Sequence, residues 1–193
     1  MKKLILIILF LGVAKIHAQY PIVSDSIKKA GIYRTFEEFR DNNPSIVIDF
    51  KVISEVSKYG SIGDRSTIRI YRVDFPSKMS ENIGNVFGFC DGKNAYIVCN
   101  TPTLLNYLSF FKVDHIDTYC VFECAYESIL VTNPLFRTGG FKILSLYNGD
   151  FLNLNKKNLK KIIKDNIELS ARFDKELNQN DVLKKYLLEY LEK

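Results

Sequence analysis

The spacing of apolar positions changes once along the chain, near Asn155. Before it, apolar and polar residues alternate over short runs rich in β-branched and aromatic side chains, which predicts half-buried strands. After it, apolar residues recur every three to four positions, which predicts amphipathic helices. The strand-like runs are Ile46–Ile53, Thr67–Val73, Val86–Cys90, Ala95–Cys99, Tyr107–Val113, Tyr119 to about Val131, Phe141–Tyr147 and Phe151–Leu154. Asp91-Gly92-Lys93-Asn94 and Asn148-Gly149-Asp150 sit between such runs, and Asx-Gly pairs there mark hairpin turns. A third turn is expected near His115-Ile116-Asp117, and Lys58–Arg65 reads as a glycine-containing loop.

Helical signals stand at both ends. Residues 19–30 read as an extended or frayed lead-in. Thr35 with Glu38 has the form of a capping box and opens a short helix, Phe36 to about Arg40, that must end before Pro44. Leu159, Ile162 and Ile163 form the stripe of a first C-terminal helix. Asp165 with Glu168 reads as a second capping box, followed by Ile167, Leu169, Phe173 and Leu177. Asn178–Asp181 breaks that helix, and Val182, Leu183, Tyr186, Leu187, Tyr190 and Leu191 make a third. Strands segregated from helices predict an α+β fold: an antiparallel sheet of about eight strands, built as a meander of hairpins and long enough to curl, with a short N-terminal helix and three C-terminal helices.

The first residues break the pattern. Met1-Lys2-Lys3 is followed by the apolar run Leu4–Val13 and by Ile16-His17-Ala18. Positive start, apolar middle and small residue at the cut are the order of a secretory signal peptide, so 1–18 reads as a leader and 19–193 as one α+β domain. The run is too short to span a bilayer, which takes about 20 apolar residues, and no later segment supplies a transmembrane helix.

Charge then changes meaning. The chain has 27 basic and 22 acidic residues. Lys2, Lys3 and Lys15 leave with the leader, so little net charge remains and a nucleic-acid partner is not expected. Hydrophobic residues at 47% and charged residues at 25% describe a globular protein and exclude a disordered one.

Two stretches, Gly31–Phe39 with Asn43-Pro44-Ser45 and Gly88–Ile97, together with the passage Asn148–Asp165, resemble a group of uncharacterised secreted proteins of Gram-negative bacteria. The resemblance covers most of the chain after residue 18. Its motifs are turns and caps, so it implies an envelope or secreted protein and carries over no functional residue.

Four cysteines, Cys90, Cys99, Cys120 and Cys124, would meet an oxidising compartment. Strand spacing excludes 120–124, about 13 Å apart, and 90–99 within one hairpin. Two patterns remain: 90–120 with 99–124, or 90–124 with 99–120. Buried free thiols fit the same positions. Cysteine catalysis would need a base, and His115 is the one histidine beyond the leader. No cysteine-hydrolase signature surrounds any thiol, no C-x-x-C pair builds a metal site, and no cofactor motif is present.

Glu123 and Glu127 share one strand face with Ala125, opposite Phe122, Cys124 and Tyr126. They are either an acid–base pair in a cleft or the solvent face of a half-buried strand. Lys156, Lys157, Lys160, Lys161 and Lys164 lie on one side of the first C-terminal helix, facing either solvent or an anionic surface. The 14 Phe and 11 Tyr are most simply core and cross-strand packing.

The expectation is an exported protein, periplasmic or extracellular, that binds a ligand or an envelope protein without catalysing a reaction. The alternative is an exported hydrolase using Glu123 and Glu127, or a cysteine. A membrane barrel is disfavoured, because charged amphipathic helices close the chain and no even ten-residue strand pattern occurs.

Overall fold

The computed structural model describes residues 20–25, 27–61, 64–74, 85–99, 109–127 and 137–192; of 59–61, 64–66, 125–127 and 137–139 it describes the backbone alone. The proposed leader lies outside the described residues. Among the described residues nine strands form one antiparallel sheet, flanked by short helices, so the fold is α+β. In chain order these are α1 (Pro21–Ser24), β1 (Gly31–Tyr33), α2 (Phe36–Arg40), β2 (Lys51–Ser61), β3 (Asp64–Asp74), β4 (Gly88–Cys90), β5 (Ala95–Val98), β6 (Phe110–Ile116), β7 (Tyr119–Glu127), β8 (Arg137–Ser145) and β9 (Phe151–Asn153). Then follow α3 (Lys156–Ile162), α4 (Ile167–Asp174), a 3₁₀ turn (Gln179–Val182) and α5 (Leu183–Leu191). The sheet order is β1-β4-β5-β6-β7-β8-β9, and the β2–β3 hairpin joins it where Tyr71 pairs with Phe110.

The N-terminal segment packs on one face; the C-terminal helices pack on part of the other, whose remainder at β4–β6 meets Ile46, Phe50, Val52 and Tyr71. On the inner face, Ile22, Tyr33 and Phe39 of the N-terminal segment pack with Ile97, Phe111, Val113, Phe122 and Leu144. On the outer face, Val121 and Ile143 pack beneath Leu159, Ile162, Ile163, Leu169, Phe173, Tyr186 and Leu187 of the C-terminal helices. Helices this short are marginal alone, so this burial, about 2 kcal/mol for a side chain such as Leu187, holds them. Lys184 adds a bond to Asp114 of β6 at 2.7 Å, and its Nζ lies 4.4 Å from the ring centroid of Phe141 on β8.

Several expectations needed correction. Residues 19–30 are not simply extended: α1 buries Ile22. The strand β1 is new; at three residues it is too short to show a period. Ile46, Ile48 and Phe50 do alternate, toward Phe89, Tyr96 and Phe110, yet the ladder begins only at Lys51; among the described residues the segment before it pairs through the single bridge Ile46–Ile32. The expected loop Lys58–Arg65 is largely ladder, since β2 continues to Ser61 and β3 begins at Asp64. Pairing between two polar strands supplies what apolar alternation does not signal. The turn after β6 falls at Asp117-Thr118, so His115 is inside the strand. The second C-terminal helix is capped by Asn166 rather than Asp165, its side chain accepting from Leu169 N–H at 3.1 Å. The lysines at 156, 157, 160, 161 and 164 are exposed, and Lys160 pairs with Asp174 at 2.6 Å.

Gly149 tests the packing between the two ends. It has φ 78°, and a Cβ there would stand 2.9 Å from the Phe36 ring of α2. Gly149→Ala should therefore destabilise by about 2 kcal/mol, read as a lowered denaturation midpoint with an unchanged m-value. A neutral result would mean that α2 does not seat against the β8–β9 turn.

Candidate functional site

Paired residues of an antiparallel ladder share a face, so register places every candidate group. Cys120, Phe122 and Cys124 of β7 face inward with Gly140, Lys142 and Leu144 of β8. Cys99, at the exit of β5, reaches the same side and stands at disulfide distance from Cys124, with Cα atoms 6.0 Å apart. Cys90 and Cys120 are free and fully buried, so neither two-disulfide pattern is complete. Burial pushes both thiols up, that of Cys120 most, and they stay protonated at neutral pH. That is the opposite of what a thiolate nucleophile requires.

Lys142 brings a charge onto this apolar face. It is 6% exposed and donates from Nζ to the Cys99 carbonyl at 3.3 Å, and burial holds its ammonium below the usual lysine range. Alternation predicts only that position 142 shares a face with Leu144; nothing local marks its contact 43 residues back with Cys99.

The opposite face receives His115 and Glu123. Strict alternation along β6 would put His115 inward with Phe111 and Val113. A β-bulge between Val113 and His115 shifts the register, so His115 pairs with Val121 and Ile116 with Cys120. His115 thereby joins Val121, Glu123 and Phe141 on the helix-covered face, with the Asp114–Lys184 pair nearby. The Nε2 of His115 is buried and has no hydrogen-bond partner among the described residues. Glu123 is half-buried rather than on a fully solvated face. Of Glu127 only the backbone is described, in register with Arg137. A bulge cannot be read from alternation alone, which is why His115 looked like a turn residue.

The β4–β5 turn is held by Asp91. Its carboxylate accepts from Lys93 N–H at 2.9 Å, Asn94 N–H at 2.6 Å, Asn94 Nδ2 at 3.2 Å and Tyr96 O–H at 3.0 Å. Burial alone would raise its pKa, but these donors outweigh it and hold the carboxyl below the usual aspartate range. A carboxyl depressed in the folded state stabilises it above the unfolded value, and that contribution disappears as pH falls through the folded value. Acidification below about pH 4 should therefore destabilise the wild type more than Asp91→Asn in urea titrations at stepped pH. Parallel pH profiles would contradict this role.

Among the described residues, no group of three or more His, Cys, Asp and Glu could hold a metal, and no helix is long and apolar enough to cross a membrane. No protein family, curated protein or solved structure matches this chain. The functional reading therefore rests on its own residues.

The feature that composition missed is the β2–β3 hairpin, eleven residues in each strand. Its register runs without interruption from Lys51↔Asp74 to Ser61↔Asp64. From residue 53 to 56 every side chain of β2 is exposed, with Ile53 at 44% and Val56 at 59%. Neighbours on opposite faces are exposed together, so that part of the strand is uncovered on both sides.

Proposed function

We propose that this is an exported interaction protein of the cell envelope that acts by binding rather than by catalysis, and that the β2–β3 hairpin is its contact surface. The exposed run Ile53–Val56 carries the reading, because apolar side chains held in a regular strand and left open to solvent are what a partner covers. Export is supported by the leader pattern of residues 1–18 and is compatible with the Cys99–Cys124 pair at disulfide distance. A curled sheet would present the hairpin at one rim.

Site-specific photo-crosslinking in intact cells tests this. A probe at Ser54 should yield a discrete adduct, and a probe at Leu177, 99% exposed at the end of the helical layer, should not. Equal yield at both positions, or none at Ser54, would contradict the hairpin as the contact surface.

A second reading is favoured by the bulge. By turning His115 onto the face of Glu123 it places a base and an acid in diagonal positions on one face of neighbouring strands, an arrangement an exported hydrolase could use. Under that reading Glu123→Gln and His115→Gln would each lower turnover on envelope glycans or esters by at least about a hundredfold, with the fold unchanged. Retained turnover in either variant would remove it.

A further inference from the structure

The open edge of β2 has a self-complementary sequence. Among the described residues β2 forms a ladder with β3 alone; it passes close to β8 without forming a ladder with it. Its outer N–H and C=O groups along residues 51–56 therefore form a template for another strand. We propose that the partner is a second copy of this chain, paired antiparallel through β2 about a two-fold axis at Ile53. The proposal rests on the reading of the hairpin as a contact surface and not on export.

The register follows from the side chains. With Ile53 on the axis, Lys51 stands opposite Glu55 of the second copy, and Glu55 opposite its Lys51. Those residues share a face with Ile53, so two ion pairs flank an apolar centre. Glu55 already bridges Arg72 at 3.4 Å across the hairpin, and Lys51 stands opposite Asp74, so the signs alternate across the whole face.

The registers centred on residues 51 and 55 fail. Moving the axis to residue 51 or 55 sets Lys51 or Glu55 against itself, and like charges directly opposite are destabilising. Edge lysines ordinarily protect a strand from pairing; here Lys51 excludes the register centred on itself and finds an acidic partner in the one centred on Ile53. The interface is isologous, as a two-fold dimer requires.

Sedimentation velocity on the purified oxidised protein is the test. The wild type should form a reversible dimer at concentrations up to about 100 µM. Ile53→Lys should weaken it at least about tenfold, because two ammonium groups meet on the axis. Lys51→Glu alone should do the same, and adding Glu55→Lys should restore the dimer. Under air oxidation Ile53→Cys should cross-link two chains, whereas Ser54→Cys, which faces Val52 of the copy, should not. A monomer at every concentration overturns the proposal, as does a dimer indifferent to Ile53 and to the charge exchange. If the protein stays monomeric while the Ser54 probe captures a different molecule, self-pairing fails and the contact-surface reading stands.

Discussion

Replacing Asn42 by alanine should unfold the N-terminal third of the molecule first and destabilise the whole by about 4 kcal/mol. Asn42 is fully buried and has φ 48°. It ends α2 in a Schellman turn: its own N–H bonds to the Phe39 carbonyl at 3.0 Å, and Asn43 N–H bonds to the Glu38 carbonyl at 2.9 Å. The side-chain amide then uses both ends. Its oxygen accepts from Lys29 N–H at 3.0 Å and from Tyr33 O–H at 3.1 Å. Its nitrogen donates to Asp25 at 2.7 Å and to the Ile27 carbonyl at 3.2 Å. Four groups from the lead-in and β1 therefore converge on one buried amide, which anchors the lead-in that carries Ile22 into the inner face.

Alanine removes all four partners and, unlike asparagine, has no polar side chain to offset the left-handed backbone. Glycine removes the partners but tolerates the backbone, so Asn42→Gly should recover about 1 kcal/mol of the loss. Tyr33→Phe removes one bond of the set and should cost about 1 kcal/mol. Urea unfolding of the three variants orders them Ala, Gly, Phe from least to most stable. Equal stability of the alanine variant and the wild type would show that the lead-in is held by something else.

Reducing the Cys99–Cys124 pair should lower stability by about 3.5 kcal/mol, the chain-entropy value for closing a loop across its separation of 25 residues. The double variant Cys99→Ala with Cys124→Ala should match the reduced wild type and should no longer respond to reductant. Cys90→Ala should keep the full response to reductant, because Cys90 is free. A wild type whose denaturation midpoint is the same with and without reductant would mean that the pair is not bonded in the folded protein.

The parts of this structure that were legible in the sequence are those fixed by local chemistry. Asp91-Gly92 and Asn148-Gly149 make the turns expected of them, with Gly92 at φ 88° and Gly149 at φ 78°. Thr35 caps α2, and Asn155 begins α3 where the period changes. What was not legible depends on contacts between distant residues. The polar half of the β2–β3 ladder exists because two strands satisfy each other, and neither announces it alone. His115 shares a face with Glu123 only because one extra residue in β6 shifts the register. Spacing narrowed the cysteine pairings to two patterns, and the structure brings 99 and 124 together while leaving 90 and 120 unbonded. Geometry that excludes a bond is local, whereas the approach of β5 to β7 is a property of the whole sheet.

The most direct test of an exported, disulfide-bearing interaction protein is the intact mass of the full chain expressed in a Gram-negative host, alkylated under denaturing conditions without reduction. The account predicts a chain that begins at Gln19, carries alkyl groups on Cys90 and Cys120, and yields one cross-linked peptide joining Cys99 to Cys124. A chain that retains residues 1–18, or one alkylated at all four cysteines, would contradict it.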